Sequence, residues 1–375
     1  MVTVVGASIP AWGAFLLLII LILKKRDISF SIFAPCFLYI CFIIWSMMTL
    51  TYSAGFGKGI MMIVKYVFPL FIYALTLKAI SSFESIKLFF NKLNKSLLFY
   101  LIIGIIAFFY GGQNTVQPYY GMSVVVIAFA SYFVRHSRKD LLYIILCIIP
   151  PVLVVKRTPL LGIALAGLFF LILRYKWKAI IPSVGGIILS VFLIFQIPQF
   201  KEKIFYSEDI TFTDLINNRQ YVEENLNTNG RNVFWEYILI NFYEPNKVLG
   251  CGSGTVKEFI QSDSNIYKAN FLLVHNDWLV VLCENGIIGV CLLASFFLLI
   301  FFKCYRYSKS SHPPLMRLMA CICAGSLACT VVNMYFENCM NSFVYSTFFV
   351  FYAIFNFVIK EYRRNPSSLN NVSII

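Results

Sequence analysis

The chain runs to 375 residues, of which 59% are hydrophobic and only 13% charged. A soluble domain of that length cannot hide so much apolar surface, which excludes an ordinary globular protein and makes lipid the solvent. The formal charge of +14 would suggest nucleic acid on a soluble protein; here it must first be placed by topology, and no nucleic-acid partner is expected.

Apolar runs close to the ~20 residues of a bilayer span recur at about 4–23, 28–50, 59–80, 96–112, 117–134, 141–155, 159–173, 179–198, 278–302, 316–334 and 342–360. They predict an all-α polytopic membrane protein of about eleven transmembrane helices. The organisation expected is 1–198 (spans 1–8), 199–277 (an extracytoplasmic loop with short amphipathic helices), 278–360 (spans 9–11) and a cytoplasmic tail over 361–375. The first run lacks a basic start and is followed by Lys24-Lys25-Arg26, so it reads as a retained anchor rather than a cleaved leader.

Orientation follows from the connections. Every second one is basic: Lys24-Lys25-Arg26, Lys78 to Lys95, Arg135 to Lys139, Arg174 to Lys178, Lys303 to Arg317, and Lys360 to Arg364. The positive-inside rule puts this set in the cytoplasm, with the N-terminus and the long loop outside and the C-terminus inside.

Four features on the outer side carry chemistry. Between Asp140 and Arg174 there is room for two spans of only about 15 apolar residues, each reaching ~22 Å against a hydrocarbon core of ~30 Å. The turn Lys156-Arg157-Thr158-Pro159 should therefore lie below the membrane surface, where a cation needs a wet cavity or an anion. A snorkelling arginine is the alternative. In the loop, Asn229-Gly230 precedes Arg231 and a short amphipathic helix that places Trp235, Ile238, Leu239 and Phe242 on one face and stops at Pro245. A cation at a helix start opposes the dipole, which a bound anion would relieve; an ordinary solvated arginine is the alternative.

Gly250-Cys251-Gly252-Ser253-Gly254 lacks the lysine and the strand of a phosphate loop, so it reads either as close backbone approach to a ligand or as a plain tight turn. The string His275-Asn276-Asp277-Trp278-Leu279 opens the ninth span and runs on to Glu284-Asn285-Gly286. A helix N-terminus favours a neutral imidazole, the form that acts as a base, although a lone interfacial histidine is often structural. Asp277 faces away from His275 along a helix, and it reads as the helix cap. Glu284, about two turns deeper, has Lys65 and Arg157 as candidate partners. One outer histidine and one outer loop cysteine do not make a metal ligand set, so no metal or cofactor is expected.

The ordered string Gly230-Arg231, Trp235, Pro245, Gly250-x-Gly252-x-Gly254, His275-Asn276-x-x-Leu279 and Glu284-x-Gly286-Ile287-Ile288-Gly289, with Arg157 before it, resembles the O-antigen ligase/polymerase family over about residues 155–290. Members commonly have twelve or so spans and a cytoplasmic N-terminus; this chain differs by one span. The resemblance implies a metal-independent membrane glycosyltransferase of the GT-C kind in the bacterial inner membrane. Its donor would be an oligosaccharide on undecaprenyl pyrophosphate. On this resemblance Arg157 and Arg231 would stabilise the diphosphate leaving group and His275 would accept the proton of the attacking sugar hydroxyl. Lys156, Arg219, Asn276, Asp277, Gly252, Gly254 and Glu284 would line the substrate, with Lys203 and Tyr221 nearby. The activity implied is repeat-unit polymerisation, with ligation of glycan to lipid A core as the alternative and a chain-length regulator as a partner. A lipid-glycan flippase is the reading from another class; it would need charges through the depth of several helices, whereas here they gather at one side.

Overall fold

The computed structural model describes residues 30–111, 126–132, 134, 138–153, 157–175, 228–262, 271–341 and 343–366, with short pieces between 178 and 225. These residues are helical almost throughout. In chain order the principal helices are α1 (Phe37–Thr49), α2 (Phe56–Ala79), α3 (Phe83–Gly111), α4 (Arg138–Leu153), α5 (Arg157–Tyr175), α6 (Arg231–Ile238), α7 (Thr255–Gln261), α8 (Asp277–Tyr307), α9 (Pro314–Phe336) and α10 (Phe343–Arg364). Among the described residues, Phe33–Tyr52, Phe56–Ala79, Asp277–Tyr307 and Pro314–Phe336 are long and apolar enough to cross a membrane, and Thr158–Leu173 is a shorter apolar helix. The expected spans at 4–23, 117–134 and 179–198 lie wholly or largely outside the described residues.

Helix α9 is the hub, packed against α5, α8 and α10, while α1 covers α8 and α2 covers α10. Its composition explains this. Ala320, Ala324, Gly325, Ser326 and Ala328 are small, so neighbouring backbones approach closely, which is how helices associate where lipid removes the hydrophobic drive. A Cβ on Gly325 would lie 2.6 Å from the Phe170 ring of α5. Apolar side chains on the outside of the bundle, among them Ile60, Met61, Val64, Leu298, Leu299 and Phe302, are exposed, as lipid-facing residues are.

Two departures from the expected elements have local causes. Helix α3 begins at Phe83, well before the expected 96. Its first turns are amphipathic: Ile86 and Phe90, one turn apart, are fully buried while Lys87 and Lys92 interrupt the hydropathy. The loop helix is not uniform to Pro245 either. It is α-helical only to Ile238, then opens into a π turn over Leu239–Tyr243 and a 3-10 turn over Glu244–Asn246. The extra residue rotates the face, and the fully buried pair is Phe234 and Ile238, with Trp235 half-buried.

Helix α8 is broken at Gly286 (φ 64°, ψ −170°), and the loop plugs the break. The Cys251 N–H donates to the Cys283 carbonyl (2.8 Å), the Gly252 N–H to the Glu284 carbonyl (3.0 Å), and the Ile287 N–H to the Lys247 carbonyl (2.9 Å). The kink thus exchanges hydrogen bonds within the helix for bonds to the loop, leaving these backbone groups satisfied. A small second core of Phe234, Ile238, Val256, Ile260, Val274, Leu279 and Cys283 forms above it. One end of the bundle gathers this core with the end of α9 and the starts of α2, α5, α8 and α10. The other end carries Lys78, Arg306, Lys309, Arg317, Lys360, Arg363 and Arg364.

Candidate active site

Arg231 and His275 meet at the end of α9. Arg231 follows two left-handed residues, Asn229 (φ 52°) and Gly230 (φ 73°), which turn the chain sharply into α6. Its guanidinium donates to the Phe336 carbonyl (3.0 Å). A cation beside the orphan carbonyls of a helix C-terminus is favourably placed, which offsets its unfavourable position at the start of α6. Phe336 is followed by Glu337, whose carboxylate is 3.2 Å from Nδ1 of His275. The guanidinium and the imidazole are thus attached to adjacent residues of one segment.

His275 is itself left-handed (φ 55°); with Asn229 it is one of the two non-glycine residues of positive φ among those described. Such backbone is costly for a side chain larger than asparagine and persists only where surrounding bonds impose it. Trp235 supplies one of them, its indole N–H donating to the Val274 carbonyl (2.7 Å) and so tying α6 to the histidine turn. Phe234 stacks on Phe271 at 4.6 Å. On the far side, the buried Asp277 carboxylate accepts from the Met340 N–H (2.7 Å) and fixes the 337–341 segment that carries Glu337. The cap of α8 is Asn276, whose side chain accepts from the Leu279 N–H (3.0 Å); the expectation that Asp277 caps the helix is corrected, because Asp277 is spent on the next helical connection.

Helix α5 brings Arg157 to the same end. It packs antiparallel to α9, with the Cys329 thiol donating to the Gly162 carbonyl (3.4 Å). Stepping from Gly162 back to the first residue, Arg157, while stepping equally along α9 from Cys329, reaches the last turn of α9 before Phe336. The α5 N-terminus, which attracts anions, therefore stands level with the turn that accepts from Arg231. Lys156 and Arg219, with Lys203 and Tyr221, lie outside the described residues.

The remaining candidates are built into the protein. Gly250, Gly252 and Gly254 all have positive φ, and a Cβ on Gly254 would stand 2.2 Å from the Gly59 nitrogen of α2, while one on Gly252 would stand 2.7 Å from the Ser53 Cα. Close approach is to other backbone, not to an open site. Glu284 is fully buried and accepts from the Gly254 (2.8 Å) and Val256 (3.2 Å) N–H groups, capping α7. Burial and the Glu284 charge push the Cys251 thiol up to about 12, which removes it as a nucleophile at neutral pH. Glu337, which contacts His275, is not singled out by the sequence. Its only mark there is a lone acid in a short polar break between two apolar runs, on the side away from the basic connections.

Residues 141–294 match the family model described as O-antigen ligase. The match spans less than half of the chain and is consistent with an O-antigen ligase/polymerase family. A comparison with curated proteins returns no match. The matched segment contains Arg157, Arg231 and His275 and stops within α8, so Glu337 and the Phe336 carbonyl come from beyond it. At family level the match supports a ligase or polymerase of surface polysaccharide, in keeping with a chain of several apolar helices.

Proposed function

We propose that this protein is a surface-polysaccharide polymerase, transferring a glycan from a lipid diphosphate to a sugar hydroxyl of another lipid-linked repeat unit at the outer face of the bacterial inner membrane. The observation that carries the proposal is the junction at Phe336–Glu337, where a guanidinium and a histidine–carboxylate pair, distant in sequence, meet. In this reading Glu337 accepts the Nδ1–H of His275, which leaves Nε2 free as the base. The acceptor hydroxyl gives its proton to Nε2 as its oxygen bonds the anomeric carbon. The bond from that carbon to the diphosphate breaks, the leaving oxygen keeps the electron pair, and Arg231 with Arg157 offsets its growing charge. A single displacement inverts the anomeric configuration. The chain's own groups supply the base and the electrophilic stabilisation.

The basic residues at the opposite end of the bundle support an outward-facing site by the positive-inside rule. Ligation to a lipid A core would use the same donor chemistry. Reconstitution of the full chain with lipid-linked repeat units tests the proposal: a ladder of products is expected, and Arg157→Ala and His275→Ala should each abolish it while the protein still inserts. Transfer of glycan only to lipid A core would overturn polymerisation in favour of ligation.

A further inference from the structure

Resting on that reading, we infer that Tyr335, with Trp235 beside it, forms an aromatic wall that holds the acceptor sugar at His275. Tyr335 sits in the last turn of α9, directly before the two residues that make the junction. Its ring meets the Trp235 indole with centroids 5.9 Å apart at 77°, and the Phe336 ring at 4.8 Å and 76°. Both contacts are edge-to-face, so neither neighbour is stacked flat on the tyrosine. The Trp235 N–H donates to the Val274 carbonyl, next to His275, and the Phe336 carbonyl accepts from Arg231. Two separate attachments thus bring the tyrosine to the imidazole and the guanidinium.

The exposure of Tyr335 is not contact with lipid. Helix α9 is the hub of the bundle, and every residue from Leu318 to Thr330 is buried, so it turns no apolar stripe toward the bilayer. Tyr335 is 48% exposed and breaks that pattern at the end where α6, the histidine turn and the start of α5 gather. Lipid-facing side chains such as Leu298 and Phe302 instead recur one turn apart along their helix. The ring itself selects the ligand. The C–H groups on one side of a sugar ring carry partial positive charge and settle on the negative face of an aromatic ring, while the hydroxyls stay with polar groups at the rim, here Glu337, His275 and Arg231. The acceptor sugar is assigned because its hydroxyl is the one that gives its proton to His275, whereas the arginines take the donor diphosphate.

The test uses the reconstituted full chain with a lipid-linked glycan as donor and a single lipid-linked repeat unit as acceptor. Tyr335→Leu removes the ring and keeps an apolar side chain. The acceptor KM should rise about tenfold with kcat, donor KM and Tm little changed, because stacking holds the ground state and the transition state alike. Tyr335→Phe and Tyr335→Trp keep a ring and should stay within about twofold of wild type. Fluorotyrosine incorporated at Tyr335 gives a second readout, decisive should the leucine variant not fold. Its fluorine NMR signal should shift on adding the lipid-free repeat-unit oligosaccharide and stay in place with undecaprenyl phosphate alone. An unchanged acceptor KM in the leucine variant, a rise in donor KM alone, an equal loss in the phenylalanine variant, or a fluorine signal that ignores the oligosaccharide or moves with the lipid alone would overturn the inference and leave the proposed activity standing. A wild-type protein that transfers no glycan would sink both.

Discussion

Replacing Glu337 by glutamine probes the junction most directly, since glutamine keeps an acceptor for the imidazole N–H and removes only the charge. In the proposed transfer His275 takes a proton and becomes an imidazolium whose Nδ1 is 3.2 Å from the carboxylate. Opposite charges so close attract by roughly 1 kcal/mol in a water-like medium and roughly 5 kcal/mol at an effective dielectric near 20. The two side chains are 33% and 30% exposed, which screens the pair and keeps the attraction toward the lower part of that range. A loss of about 2 kcal/mol from the transition state is a ~30-fold fall in kcat. The assay is single-turnover transfer by the reconstituted full chain, with its thermal unfolding in detergent followed in parallel. Glu337→Gln should be slow with an unchanged Tm, Glu337→Asp should recover part of the rate, and His275→Ala should be slower than either. A folded Glu337→Gln protein that turns over at the wild-type rate would refute the histidine–carboxylate pairing.

Other perturbations follow from the same geometry. Arg231→Lys keeps the charge but loses the planar fork that reaches both the Phe336 carbonyl and an anion; kcat should fall ~10²-fold with little change in donor binding, measured as donor concentration is varied. Gly254→Ala sets a methyl group 2.2 Å from the Gly59 nitrogen at a positive φ, so it should cost more than ~4 kcal/mol, seen as loss of folded protein on size-exclusion chromatography. Lys257 is held below the ordinary lysine range and Lys247 above it by Glu244, so at a given pH a larger fraction of Lys257 is the neutral amine. Amine-directed labelling followed by peptide mass spectrometry should therefore reach its midpoint at lower pH for Lys257 than for Lys247.

The membrane character, the amphipathic loop helix and the two residues that meet at the end of α9 were legible in the sequence, because each rests on local pattern: apolar run length, a glycine turn before an arginine, a histidine at the mouth of a span. What escaped was contact between distant segments. Glu337 is 62 positions from His275, and no periodicity relates a carboxylate after α9 to an imidazole before α8. Asp277 reads as a cap because caps are short polar residues at helix starts, yet the neighbouring Asn276 takes that role and frees Asp277 for Met340. The alternate glycines suited either a ligand or a tight turn. Only the backbone of Ser53, Gly59 and Glu284 lying against them decides for packing. The π turn at Leu239–Tyr243 could not be foreseen from a regular helical repeat, which is why the buried face is set by Phe234 rather than Leu239.

The bond from the Met340 amide to Asp277 has a consequence for anyone who would dissect this molecule. A fragment ending where the family resemblance ends would keep the histidine and lose its acidic companion. It would also abandon the carbonyl on which the loop arginine rests. Grafts between relatives should therefore move the hairpin joining the last two helices together with the loop, since exchanging either alone would leave half of the proposed site facing a stranger.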